Sequence, residues 1–265
     1  MFHNKNDHFI NGITLNVKDI EEMKHFYSNI LGLNIVMESD SNILYQIGVQ
    51  NHFISLNQIE RGREPLSAEA GLFHLAIQLS SQSALADILV QLSDYSLPVD
   101  GGENHLTTSL YVNDPEGNGL EFYVVEAHNE DWDNVEEQVT LDTLPINVPK
   151  LLKHVSNNQW QGIPNESQIG YLNLKTIAWH KVKPYYKNFF NLEVAPLDTD
   201  EALYMSSKGD YQHLVVNNWH SYIKRIENDV TYGLACVDCY YPDTAHKRLT
   251  GPDGIQFRFN YYEVE

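Results

Sequence analysis

The first forty residues set a pattern that recurs along the chain. Ile13, Leu15 and Val17 alternate with polar positions, as in a half-buried strand. Asp19, with Glu22 three residues on, has the spacing of a capping box. Met23, Phe26, Tyr27, Ile30 and Leu31 then repeat at helical spacing until Gly32 supplies a stop. Strands are expected around Asn34–Met37, Ile43–Ile47 and Phe53–Leu56. The predicted unit is one strand, one helix and three strands.

That unit returns three times, at a spacing of roughly 50 to 60 residues. A second copy opens with GLFHLAIQL, carries a helix on Leu85, Ile88, Leu89 and Leu92, and closes with SLYVNDPEGNGLEFYVV. The third opens at IGYLNLK, and its helix carries Val182, Tyr185, Tyr186, Phe189 and Phe190. Pro184 in that helix is tolerable only near the first turn. EALYMSS and YQHLVVNNW complete the copy. A fourth, from VTYGLACVDC to FNYY, is short, with little room for a full helix. Residues 127–168 separate copies two and three. They are acidic at first (EDWDNVEE), then hold a short helix at Val148–Val155 and end in the loop GIPNES. The expected organisation is an N-terminal domain at 1–126, a linker at 127–168 and a C-terminal domain at 169–265.

Composition narrows the partners. The 265 residues are 42% hydrophobic, enough for packed cores. The formal charge of −19 repels a phosphate backbone and an anionic membrane surface, which excludes both as expected partners. No run approaches the roughly 18 apolar residues of a membrane span. The opening MFHNKNDHF lacks the pattern of a secretory signal, so the cytoplasm is the expected location. Cys236 and Cys239, three apart in a strand-like run, would face opposite ways, which argues against a shared metal or redox role. P-loop, nucleophile-elbow, zincin and dinucleotide fingerprints are all missing from the sequence.

The strand followed by KDIEEMKHFYSNILGL resembles the opening of a vicinal oxygen chelate module, the unit of glyoxalases, bleomycin-resistance proteins and extradiol dioxygenases. NHLTTSLYVNDPEGNGLEFY, the linker elements WDNVEEQVTLDTLPINVPKLL and WQGIP, and YQHLVVNNWH are similar to the bacterial catechol-2,3-dioxygenase-like branch. The resemblance implies an α+β fold of four βαβββ modules, the last shortened, paired into two open-barrel cups. It further implies a divalent-metal enzyme acting on a small aromatic or carbonyl compound, in the manner of a ring-cleaving dioxygenase. Iron(II) is the expected ion, with manganese, zinc or no metal as alternatives. A homo-oligomer is compatible with the family.

Such a dioxygenase places two imidazoles and one carboxylate on one face of the iron. On the family pattern, His74 in GLFHLAI and Glu121 in GNGLEFY stand at ligand positions. A histidine is expected in the first strand of the partner module, where this chain has Gly12 or Tyr171. His213, in YQHLVVNNW, is a candidate third ligand if modules two and three share a cup. Tyr171 and Tyr211 are then possible ligands or pocket residues. With sequential pairing, Gln256 stands where Glu121 stands in its module, and neither cup has a full ligand set. His105, in ENHLTT, is the candidate general base because it titrates near neutrality. The gaps in this ligand set motivate the alternative of a non-catalytic small-molecule binding protein.

Overall fold

The computed structural model describes residues 6–49, 51–126, 144–156, 158, 160–177, 179–190, 192–194, 202–206, 213–219 and 221–262. The acidic stretch EDWDNVEE and Tyr211 lie outside them. The first module forms as its pattern predicts: β1 (Phe9–Val17), α1 (Ile20–Lys24) continuing into a π-helical turn at His25–Ile30, β2 (Asn34–Glu38), β3 (Asn42–Ile47) and β4 (His52–Gln58). The Asp19 side chain accepts from the amides of Glu21 and Glu22 and caps α1. Gly32 ends the helical stretch at φ +68°, where a Cβ would collide with Gly162 of the linker.

Module two comprises β5 (Gly71–Gln78), α2 (Gln82–Asp94), β6 (Asp100–Glu103), β7 (Thr107–Asn113) and β8 (Gly119–Val125). The linker adds a two-residue strand, β9 (Leu144–Pro145), and the short α3 (Val148–Leu151), extended by a 3-10 turn to His154. Module three holds β10 (Gln168–Lys175), α4 (Trp179–Phe190), β11 (Glu193–Val194), β12 (Ala202–Ser206) and β13 (Leu214–Asn217). Pro184 sits inside α4, past its first turn. That helix forgoes a hydrogen bond and is held instead by burying Val182, Tyr186 and Phe190. The fourth module is β14 (Gly233–Tyr240), β15 (Lys247–Thr250) and β16 (Gln256–Phe259), with no helix between them, as its length implied.

Strand pairing crosses the linker. Modules one and four share a seven-stranded sheet, β15-β16-β14-β1-β4-β3-β2. Modules two and three share a nine-stranded sheet, β11-β12-β13-β10-β5-β8-β7-β6-β9. The joints are antiparallel first strands: β1 on β14, and β10 on β5. Each sheet therefore draws on both sequence halves, 1–126 and 169–265.

The apolar faces of both sheets and the helices bury one common core. Strand alternation assigns the opposite faces. On β5, Leu75 and Ile77 enter that core, whereas Ala76 belongs to a small second cluster with Tyr123, Tyr171 and Val215. On β8, Leu120 and Phe122 take the core side and Tyr123 the other. The two cysteines on β14 are free and buried, and only Cys239 joins the core, as their odd spacing requires.

Candidate functional site

Seven strands' worth of second-face residues surround one cavity of about 500 Å³ in the nine-stranded sheet. Its floor carries His74 from β5, Glu121 from β8 and Tyr171 from β10. The β5/β8 ladder sets Ala76 beside Glu121, and the β10/β5 ladder sets Asn173 beside His74 and Tyr171 beside Ala76. Three residues distant in sequence thus meet because the first strands of modules two and three are neighbours. Phe73, Tyr111, Tyr204 and Trp219 supply aromatic walls, and Asn104 and Asn173 supply amides. A Cβ at Gly170 would meet the Tyr123 ring and hydroxyl, so a side chain there would have to displace Tyr123.

Glu121 is almost completely buried. Its Oε2 lies 3.0 Å from His74 Nε2, an ion-pair distance only for a protonated imidazole and not an aligned hydrogen bond. The same oxygen accepts a short hydrogen bond from the Tyr171 hydroxyl, and Oε1 accepts one from Tyr111 at 3.4 Å. Burial alone would push the carboxyl up, but His74, Tyr171 and Ser109 outweigh it and hold it below the usual carboxylate range. Burial, and then the charge of Glu121, hold the Tyr171 phenol well above its ordinary value, so Tyr171 stays a protonated donor.

The other sequence candidates are elsewhere. His213 is buried, but it lines a small cleft with His8, Phe9, Phe190 and Tyr241, away from Glu121. The chain leaves regular strand geometry there: the His213 amide donates to Met205 and its carbonyl accepts from Leu172. His105 is exposed on the β6–β7 loop, while its neighbours Asn104 and Thr107 line the cavity. Gln256 lies half-exposed on β16 in the other sheet, opposite Thr250.

The seven-stranded sheet shows what the equivalent face has become. Thr14 pairs with Cys236 as Asn173 pairs with His74, and Asp238 pairs with Arg258 as Ala76 pairs with Glu121. Arg258, not Gln256, thus stands at the register position of Glu121. Its guanidinium makes two 2.8 Å bonds to Asp238 and one of 2.7 Å to Thr14, filling the space with an ion pair. Burial pushes the Cys236 thiol up to about 12, so it is no thiolate ligand.

The comparisons agree with this architecture. Residues 8–122 match the model of the Glyoxalase/Bleomycin resistance protein/Dioxygenase superfamily. Over those residues, which span the first two modules, the chain resembles that superfamily. A catechol-2,3-dioxygenase of Bacillus subtilis (strain 168) is 22% identical over 207 residues, which cover 77% of this chain and 73% of that protein. Biphenyl-2,3-diol 1,2-dioxygenase 3 of Rhodococcus globerulus is 29% identical over 123 residues, 44% of this chain and 61% of that protein. A crystal structure from Bacillus subtilis strain 168, provisionally described as a dioxygenase, superposes with a TM-score of 0.63 at 16% identity. That superposition covers 97% of this chain and 86% of the other, so the fold extends over all four modules.

The superfamily resemblance implies a divalent metal, and the cavity floor tests it. Two of three facial donors are present, His74 and Glu121. Tyr171 stands on the first strand of module three, where a third ligand is expected, and its phenol donates a hydrogen bond to the carboxylate instead of offering a lone pair. Among the described residues no group of three His, Cys, Asp or Glu side chains converges. This donor set does not fit the two-histidine, one-carboxylate iron site. Among the described residues, no helix is long and apolar enough to cross a membrane.

Proposed function

We propose that the cavity binds a small flat compound bearing a hydroxyl or carbonyl group, and that it does so without a metal. The observation that supports this most is the hydrogen bond from Tyr171 to Glu121, which occupies the carboxylate with a donor instead of a shared ion. The cavity has the size and character of small-molecule sites, with aromatic walls and a few convergent polar groups. Phe73 and Trp219, edge-to-face at 5.3 Å, provide a surface for a ring at one side of it. A ligand hydroxyl entering the cavity meets the His74–Glu121 pair, whose Nε2 and Oε2 lie 3.0 Å apart. Proton transfer from that hydroxyl to His74 would leave an imidazolium 3.0 Å from Glu121, which stabilises it.

A second reading is a divalent-metal enzyme of the dioxygenase type. The retained His74–Glu121 pair favours it, with two donor atoms 3.0 Å apart as around a shared ion. One experiment separates the two. Protein purified without a chelating tag is assayed for bound metal, then screened against catechols and related phenols by thermal shift, with and without chelator. The metal-free reading expects little metal and ligand shifts that survive chelation. Near-stoichiometric metal that disappears in His74→Ala or Glu121→Ala would overturn it.

A further inference from the structure

A second cavity, of about 190 Å³, lies where the modules meet. Lys18 follows β1, Gly71 opens β5, Lys175 ends β10 and Gly233 opens β14, so all four first strands contribute an end to it. The charges around it are unevenly satisfied. Glu69 is held bidentately by Arg63, at 2.9 and 2.8 Å. Glu64 pairs with Lys18 at 2.6 Å. Glu116 accepts through Oε1 from the amides of Lys18 and Asp19. Each lining acid therefore already has a donor on at least one oxygen, and Glu116 Oε2 is buried without one among the described residues.

Two lining cations are less fully satisfied. Lys175 is half-buried and has neither an ion pair nor a hydrogen-bond acceptor among the described residues. Arg225 is buried, and spends Nε on Asn228 at 3.1 Å and Nη2 on the Tyr232 carbonyl at 3.0 Å. Its Nη1 makes a long ion pair with Glu69 at 3.9 Å and no hydrogen bond. Position 71 is glycine, and a Cβ there would lie 3.6 Å from that nitrogen, narrowing its access to the cavity. Holding the unpaired Lys175 beside Arg225 in a confined space is unfavourable without a further counter-charge. Burial, and then Arg225, pull the Lys175 ammonium below the usual lysine value. Burial likewise pulls Arg225 down to about 10 despite Glu69. A chain of net charge −19 does not gather anions by its overall field, so the feature is local.

We propose that this cleft is a second ligand site, for a small oxyanion held between the Lys175 ammonium and Arg225 Nη1. The site is separate from the His74–Glu121–Tyr171 cavity and does not rest on the reading of that cavity. The shared chemistry is a compact group with two or more anionic oxygens, as in a phosphate or a carboxylate.

Calorimetric titration of the full chain with inorganic phosphate, and separately with succinate, tests it. Saturable one-site binding of at least one anion is expected, weakened at least about tenfold in Lys175→Met and unchanged in the exposed-lysine control Lys153→Met. Preference between the anions assigns the source, phosphate or carboxylate. Lys175→Met should also melt no lower than the parent without anion, because it removes an unpaired cation, and should lose the anion-dependent rise in Tm. No saturable binding with either anion would overturn the proposal. So would equal affinity in parent and Lys175→Met, or binding abolished by about 0.15 M NaCl, which is diffuse screening.

Discussion

The Tyr27 hydroxyl donates a 3.0 Å hydrogen bond to Asp114, joining the helix of module one to the turn before the last strand of module two. These modules lie in different sheets, so the bond ties one sheet to the other. Tyr186 and Asp253 repeat it between modules three and four at 2.8 Å. Modules one and two, and modules three and four, are therefore fastened by side chains, while strand pairing joins module one to four and two to three.

The Tyr27 bond can be measured. Asp114 is buried and also accepts from Asn118 and from the amides of Glu116 and Asn118, so the turn is built on it. Tyr27→Phe should cost about 1 to 3 kcal/mol in urea unfolding, the penalty for a buried acceptor losing a donor. A loss under about 0.3 kcal/mol would mean that water replaces the phenol.

Tyr171→His would supply the imidazole that the cavity floor lacks, next to His74 and Glu121. Metal titration should show near-stoichiometric zinc or iron(II) in this variant and far less in the parent. Equal occupancy in both proteins would contradict the account of Tyr171 as the group that displaces the metal.

The Asp238–Arg258 pair is almost wholly buried on the acid's side. Arg258→Met should destabilise by about 3 to 5 kcal/mol because it strands a buried carboxylate. The double variant Asp238→Leu/Arg258→Met should recover most of that loss. A double-mutant cycle by denaturation decides, and additive losses would show that the pair is not coupled.

His52, buried beside Phe9, has its imidazole pushed down to about 3 by burial. The unfolded chain takes up this proton near pH 6.5, the folded one only near 3, so the unfolded state holds more protons between those values. Stability is then fully present above about pH 6.5 and falls as pH drops toward 3, by up to about 1.4 kcal/mol per unit from this group. His52→Leu should flatten that part of the profile. Parallel urea midpoints at pH 7, 5 and 4 for both proteins would reveal an unchanged slope if the assignment is wrong.

Much of this was legible in sequence because strand alternation and helical spacing are local. The period-2 pattern around His74, Glu121 and Tyr171 separates them from Leu75, Phe122 and Leu172 without reference to any partner strand. The Asp19 cap and the Gly32 stop are equally local, because each acts within one turn of its own helix.

Pairing of modules is different in kind. Antiparallel β5–β10 and β1–β14 contacts join residues about a hundred or more positions apart, and each strand's apolar pattern would suit several neighbours. Only the tertiary structure decided that module two meets module three. That contact brings Tyr171 to Glu121, while the local departure at His213 sends its side chain elsewhere. The same distance hid the Lys175–Arg225 cleft and the Arg258–Asp238 pair, in which neither partner is marked by its own neighbours in sequence. The sequence by itself determined the four modules and the strand faces that carry His74 and Glu121. The fold decided what completes the site, because the third group arrives across a strand pairing that local patterning does not encode.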